Sequence, residues 1–478
     1  MSEPSPSIYN QHNHAAEGGI QNIAHTIYVG SDRQPFTVAG FSALSPGRAA
    51  QLLSEMTPDQ AAVVLAEIEP SSAATIVERM NDELATDVVT SMHPRYANGI
   101  LDQLSADTAS PLRMLVEAAD SISKQGAAWR AKVGTPSGKL HQAGPSRRET
   151  TGFRSDYSGG TVFWSPRTGV GMVSAALKPY FDEHGGLASL LGFPIGPEIE
   201  AAVSFSGTTG TFQRFESLWD YGGELAERLG AECGATIYRS ERHGTYLTRG
   251  GIGEYYELSG GTRGPLGFPR SEEIAVGESA NGSPAGYRQE FEGGAVYWSD
   301  STGAVSINGA ILQRYLASWR SVLGFPIAEK EIIEESPLGT TGVFQLFSNG
   351  AIYACEAYGA RAVYGRFYRS FVAGSATIGL FGFPVSDRIL LSDRKGGELR
   401  WYQPFEGGMI YLSHKFGVFT VVGEVFQLLA GNHEAVERLG VAAGPQRSLD
   451  GGPDVVQFFE HGVVSVVDSK AQSWVSPE

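Results

Sequence analysis

"LGFP" stands at Leu191–Pro194, again at Leu266–Pro269 and Leu323–Pro326, and as "FGFP" at Phe381–Pro384; the last three copies start 57 and 58 residues apart. Gly admits positive φ, Pro fixes φ and lacks a donor, and the residue before Pro is driven extended. The tetrapeptide therefore cannot lie inside a helix. It marks a sharp entry into a new segment, with Leu and Phe as buried anchors, and its period announces a repeat architecture.

A second phrase recurs with it. "DYSGGTVFWS" (156–165), "EFEGGAVYWS" (290–299), "LFSNGAIYAC" (346–355) and "PFEGGMIYLS" (404–413) place Gly-Gly or Asn-Gly between apolar residues, and "FFEHGVVSVV" (458–467) is a degenerate copy. This is a strong hairpin signal. A further copy is split, "QRFE" (213–216) standing apart from "ATIYRS" (235–240) by an inserted loop or short helix at the hairpin tip. Between hairpin and LGFP comes a helical stretch. In "AILQRYLASWRS" (310–321), Ile311, Leu312, Tyr315, Leu316 and Trp319 share one face. "LGVA" at Leu439–Ala442 is an eroded fifth LGFP, 58 residues after Phe381, which makes five units and a final half-hairpin. A leftover hairpin is an exposed sheet edge unless it completes the first unit. The expected fold is a β-rich α+β closed ring of five repeats with pseudo-fivefold symmetry.

Residues 151–478 thus resemble the LGFP repeat family of actinobacteria, found in mycolyltransferases, peptidoglycan hydrolases and related cell-envelope proteins. The resemblance implies attachment to cell-wall polysaccharide. An exposed aromatic that stacks on sugar C–H faces would serve such a ligand, and the candidates are Trp164 and Trp298. The matching positions elsewhere are Arg239, Ala354 and Leu412, so the signal recurs only twice and core or edge packing competes with it. Tyr238, Tyr297, Tyr353 and Tyr411 recur throughout and read as core.

Upstream the period changes to twelve. Ala49, Ala61, Ala73, Ala85, Ala97 and Ala109 fall in register, as do Leu53, Leu65, Val77, Val89 and Leu101. So do Leu52, Val64, Ile76, Val88 and Ile100, and Met56, Ile68, Met80, Met92 and Leu104. Within a unit these lie at i, i+3, i+4 and i+7, one helical face. Breaks recur at Ser45, Thr57, Glu69, Asn81, His93 and Ser105, four of them followed by Pro. Ser, Thr and Asn suit an N-cap and Pro suits the first turn, while Glu69 and His93 are poorer caps. One long helix is excluded; residues 45–117 form an α-solenoid of short helices. The columns resemble the N-terminal cytoplasmic domain of the MgtE magnesium transporters and, more distantly, the helical repeats of the flagellar rotor protein FliG. That family's transport work lies in a membrane domain not seen here, so neither transport nor magnesium gating is implied. The segment sets four Arg against eleven Asp and Glu. A solvated acidic face accounts for this, and a protein partner on the solenoid surface is the expected use.

Two connecting segments complete the organisation. Residues 1–44 read as a polar segment with one strand, in which alternation runs through Ile23, His25, Ile27 and Val29 and His12, His14 and His25 lack the spacing of a metal site. Residues 118–150, rich in Gly, Ser, Pro and basic residues, read as a flexible basic linker between 45–117 and 151–478.

Composition limits the function. The 478 residues imply about two to four domains, and a net charge of −16 argues against nucleic acid as main partner. Cys233 and Cys355 are the two cysteines, too few for a disulfide framework. No apolar run is long enough for a membrane span, and the N-terminal residues lack a secretory pattern. The expected location is cytoplasmic, with the cell envelope by a non-standard route as the alternative. No GxSxG, HExxH, phosphate loop or dinucleotide fingerprint occurs. His243 and His414 have no Ser or Cys at a recognisable spacing, Cys355 stands where other repeats carry Ser, and Glu292 and Glu406 read as ordinary turn residues. No enzyme activity, catalytic residue, metal or cofactor is expected. The reading is a binding protein that holds cell-wall glycan or another envelope ligand. An intracellular adaptor whose repeats bind protein, and an exported hydrolase with an unrecognised site, are the alternatives.

Overall fold

A computed structural model describes residues 26–29, 34–218, 227, 233–278, 284–391, 399–449, 452, 454–468 and 470–475. His12, His14, His25 and most of the insertion at 217–234 lie outside them. The chain divides into two compact units. The first holds residues 1–199, 213–220 and 229–234, and the second holds 200–212, 221–228 and 235–478.

The first unit begins with a hairpin. Thr26–Val29 pairs antiparallel with Gln34–Thr37, so the expected strand finds its partner within the chain. Helix α1 (Val38–Ser42) follows, then α2 (Pro46–Leu53), α3 (Pro58–Ala66), α4 (Pro70–Val77), α5 (Asp82–Ser91), α6 (Pro94–Leu101) and α7 (Ala106–Ala128). The starts are those the twelve-residue period sets. Thr57 and Gln60 form a capping box, and Asn81 accepts from the Leu84 N–H. His93, a poor cap by type, accepts from the Arg95 N–H, whereas Ser45 and Ser105 make no side-chain cap. Each helix packs on the next but one, α2 on α4, α3 on α5, α4 on α6 and α5 on α7. The six column alanines are buried, because only a methyl fits where the backbones approach, and Leu53, Leu65, Val77, Val89 and Leu101 fill the core beside them.

The segment expected as a flexible linker is ordered, which corrects the composition reading. Helix α7 runs on to Ala128, α8 covers Arg130–Val133, and Pro136–Ala143 forms a strand. That strand pairs with Gly152–Tyr157, which pairs with Gly160–Ser165, which pairs with Gly169–Ser174. Ala118 and Ile122 of α7 are buried with Val133, Val162, Trp164 and Met172. Gly126 lies so close to Tyr157 that a Cβ there would collide with the phenol. Gly, Ser and Lys content is a poor guide here, because apolar residues spaced along one helix face decide burial.

The second unit repeats this meander. Its antiparallel sheets are Ile274–Glu278, Pro284–Phe291, Gly294–Ser299 and Gly303–Ile307; Glu331–Ile333, Gly342–Phe347, Gly350–Cys355 and Gly359–Tyr364; Ile389–Leu390, Arg400–Pro404, Gly408–Ser413 and Gly417–Val422; and Arg447–Ser448, Val455–Phe459, Gly462–Val467 and Lys470–Val475. Strands Pro194–Glu200, Gly210–Phe215, Ala235–Ser240 and Gly244–Arg249 follow the same consecutive order, with residues in both units. The last set is a sheet with four strands of its own, not a half-hairpin waiting for the first unit. The first hairpin takes its outer strand from Pro136–Ala143 instead. Among the described residues the strands form one eight-stranded sheet (Pro136–Ala143 through Gly244–Arg249), four four-stranded sheets and the N-terminal hairpin, none of them closed, in which the four-strand meander recurs six times.

The LGFP turn explains the repetition. In every set it clasps the hairpin through two backbone bonds. The Glu292 and Gly293 N–H groups donate to Phe268 O (3.0 Å) and Leu266 O (2.9 Å), and Glu406 and Gly407 donate to Phe383 O and Phe381 O. The Pro bridges the last hairpin aromatic, as in Pro269 with Phe291, Pro326 with Phe347 and Pro384 with Phe405. Gly192, Gly267, Gly324, Gly382 and Gly440 have φ between 64° and 75°. An aromatic from the intervening helix stacks on the clasped ring: Phe181 on Phe215, Tyr256 on Phe291, Tyr315 on Phe347 and Phe371 on Phe405, with centroids 5.6, 4.7, 4.9 and 4.6 Å apart. A sixth clasp escaped the sequence reading. Ser158 and Gly159 donate to Thr135 O and Val133 O, Pro136 pairs with Tyr157, and Gly134 has φ 76°. "VGTP" (133–136) is a worn LGFP, and the end of the solenoid is the helix of the first repeat.

Two details depart from the expected helix and hairpin patterns. After Gly309–Arg314 the chain makes a π-turn at Tyr315–Trp319, which advances the phase, so Ile311 and Tyr315 are buried but Leu316 is 46% exposed. Buried Gln289, Gln345 and Gln403 each tie one sheet to the preceding one. Their Nε2 groups donate to Leu247 O, Ser306 O and Ala362 O, and each donates again to the segment after its own LGFP. Gln213 and Gln457 hold the same position, so a "Q-x-F" before each of five turns was the legible signal.

Two outcomes follow from this packing. A fragment starting at residue 151 loses Val133 and the helix over Trp164, and should melt at least about 3 kcal/mol less stably than one starting at Ala106, the scale of emptying a large core position; urea unfolding with Trp fluorescence checks it. Gly267→Ala forces a Cβ into the left-handed region and against the Glu292 carboxylate. It should cost about 1–2 kcal/mol or more, measured by the shift in denaturation midpoint.

Candidate binding site

The two tryptophans sit in different surroundings. Trp164 is 4% exposed, stacked on Phe153 at 6.2 Å and covered by α7, so it is withdrawn from any stacking platform. Trp298 is half-buried beside Tyr287 (6.2 Å) and against the start of the helix Gly250–Leu258, where a Cβ on Gly251 would collide with its indole. The structure does not bring them to a shared surface feature. Tyr238, Tyr297, Tyr353 and Tyr411 are buried, as their recurrence implied. Burial pushes the Tyr353 and Tyr411 phenols well above their usual range, with a smaller push from Tyr368 and Tyr402 respectively.

Glu292 and Glu406, expected as ordinary turn residues, hold the clasps. Glu292 Oε2 accepts the Phe268 N–H (3.0 Å), and Oε1 accepts from Ser206 (2.7 Å) and Thr208 on the loop of the preceding strand pair. Glu406 accepts the Phe383 N–H (2.6 Å), Ser336 (3.1 Å) and Thr340 in the same way. The donors come from "SFSGTTG" (204–210) and "SPLGTTG" (336–342), a repeated loop. Burial alone would raise the Glu292 pKa, but the Thr208, Ser204 and Ser206 hydroxyls and the Phe268 N–H outweigh it and bring it down to about 2. His243 Nε2 lies 2.7 Å from Glu292 Oε1. Ser206 and His243 both meet that one oxygen. A nucleophile and base would instead need the hydroxyl on the imidazole.

A recessed polar surface lies on the first sheet. An open cleft of about 600 Å³ is lined by Arg154, Asp156, Tyr157, Ser158, Gly160, Thr161, Ala175, Lys178, Pro179 and Asp182. Arg154 and Asp156 are alternate residues of one strand, so they share its face. Asp156 Oδ1 accepts from Thr161 directly opposite (2.8 Å), and Lys178 Nζ meets both Asp182 oxygens at 2.9 and 2.7 Å across one helical turn. Burial raises the Tyr157 phenol, which therefore stays a neutral donor. Cations, carboxylates and hydroxyls in an open recess suit a ligand rich in polar groups. Its signal was spread over a strand, a turn and a helix 22 residues later. Among the described residues no group of three or more His, Cys, Asp or Glu is placed to hold a metal.

With this geometry stand the likenesses to known proteins. Residues 266–319 and 323–376, the span of two successive clasps, match the LGFP repeat family, and residues 37–120 match the MgtE intracellular N domain. The chain carries LGFP repeats and an MgtE-type N domain. No curated protein matches it. Solved structures that align include virginiamycin B lyase from Staphylococcus aureus, at 7% identity over 71% of this chain and 89% of that one, TM-score 0.10. PorZ of the Porphyromonas gingivalis type-IX secretion system aligns at 7% identity over 68% and 37%, TM-score 0.11. The WD40 domain of SCAP from fission yeast aligns at 10% over 70% and 63%, TM-score 0.10. No helix among the described residues is long and apolar enough to cross a membrane.

The Glu292 network predicts an acid response. Its carboxylate has a folded pKa below the unfolded value, so its stabilisation is present above about pH 4.5 and is lost as pH falls towards 2. Glu292→Gln should lower stability at pH 7 and flatten the pH profile between 4.5 and 2, read from urea melts across that range.

Proposed function

We propose that this is a non-enzymatic binding protein whose LGFP repeats hold a cell-wall polysaccharide or another envelope ligand, while the acidic solenoid holds a protein partner. The match of residues 266–376 to the LGFP family carries the reading. The open cleft beside the first hairpin supports it, since it offers the hydroxyls, carboxylates and cations that sugar hydroxyls use. A closed ring of the repeats belongs to the same proposal.

One observation favours an adaptor that binds protein instead. Leu338, Ile378 and Leu380 are 55%, 72% and 73% exposed. Leu338 and the Leu380 backbone both border Gly407 at the Phe381–Pro384 clasp. Apolar side chains in contact with water suit a protein partner. A pull-down of the full chain on purified actinobacterial cell walls separates the two. Saturable binding competed by soluble wall polysaccharide is the expected outcome. A folded chain that stays in the supernatant removes the wall reading and leaves the adaptor.

A further inference from the structure

We infer that the cleft on the first sheet binds the negatively charged group of an anionic polysaccharide, with Arg154 and Lys178 as its cationic contacts. The inference rests on the reading of the repeats as glycan-binding and names the class of glycan.

Charge is unevenly placed. The chain is −16 overall, yet residues 121–183 carry nine Lys and Arg against four Asp and Glu. These residues are the end of α7, the first sheet and the helix Lys178–Glu183. Lys124, Arg130, Arg147 and Arg167 are exposed. Within the cleft the anions are engaged: Asp156 by Thr161, and Asp182 by Lys178. The Arg154 guanidinium, half-buried, has no hydrogen-bond or ion-pair partner among the described residues. His141 sits directly across from Arg154 in the strand register, so two basic residues face each other where an opposite charge would stabilise the pair. Lys178 is held to Asp182 by a solvent-accessible i,i+4 pair, a weak contact in water, so it exchanges readily onto a ligand anion.

The remaining lining selects the ligand. A guanidinium offers paired donors to carboxylate or phosphate. Tyr157, Ser158 and Thr161 supply hydroxyls at the same recess for a polyhydroxylated chain. Single-stranded nucleic acid is commonly held by exposed aromatics that stack on its bases, and the tryptophan of this sheet is sealed under α7.

Calorimetry on the full chain tests the assignment with polygalacturonate (carboxylate), poly(glycerol phosphate) (phosphate) and neutral dextran. Binding of at least one anionic polymer, at least tenfold tighter than dextran, weakened by NaCl and by about tenfold in Arg154→Gln/Lys178→Gln with an unchanged circular-dichroism melt, is the expected result. The better polymer identifies the charged group. Equal binding of dextran, no binding of either anionic polymer, full affinity in the double variant, or tighter binding of an oligothymidylate would overturn it. If walls bind wild type and double variant alike, the cleft is refuted while the wall reading stands. If the anionic polymers bind and walls do not, the wall reading alone fails.

Discussion

The second unit depends on the grip of a Gly-Phe-Pro turn on the neck of a hairpin. Two backbone bonds and one bridge to the clasped aromatic close each copy, and a stacked helix ring joins them at Phe291, Phe347 and Phe405. None is strong alone, since a backbone hydrogen bond contributes about 0.5–1.5 kcal/mol net. They hold because Gly supplies a positive φ that lets the turn lie against the hairpin without a Cβ between them. In two copies a turn Glu, Glu292 or Glu406, then accepts the N–H of the clasp Phe. Remove the positive φ and the helix aromatic, the hairpin and the following strand lose their common anchor.

The same interaction joins the two halves of the chain's repertoire. Helical repeats of period twelve and sheet repeats of period near 58 have no period in common, and they read as separate domains with a linker. Their junction is a shared element. Helix α7 is the last helix of the solenoid at its start, and at its end it covers Val162, Trp164 and Met172. The worn clasp at Val133–Pro136 follows it as a full LGFP follows the helices elsewhere.

Repetition separated what was legible from what was not. The buried alanine and leucine columns, the helix starts, the hairpins and the tyrosine core could be read because each copy reports the same environment. The roles of Glu292 and Glu406 could not. Their donors, Ser206, Thr208, Ser336 and Thr340, lie 66 to 86 residues away, and a turn acid looks the same with or without them. Trp164 and Trp298 were candidates as aromatics able to stack on sugar, although their failure to recur counted against them. They break the repeat because their neighbours do: one meets a helix that belongs to the solenoid, and the other a Gly that leaves room for an indole.

By itself the sequence determined the local conformations. Pro and Gly spacing set where helices begin and where the chain turns, since those residues restrict or free φ whatever surrounds them. Apolar period set which face is buried. Only the tertiary structure decided the number of complete sheets, the ordering of residues 118–150, the clasp role of the turn glutamates and the gathering of Arg154, Asp156 and Lys178 into one cleft. These depend on which distant groups meet. That is fixed by packing across many residues and leaves no mark on any short stretch.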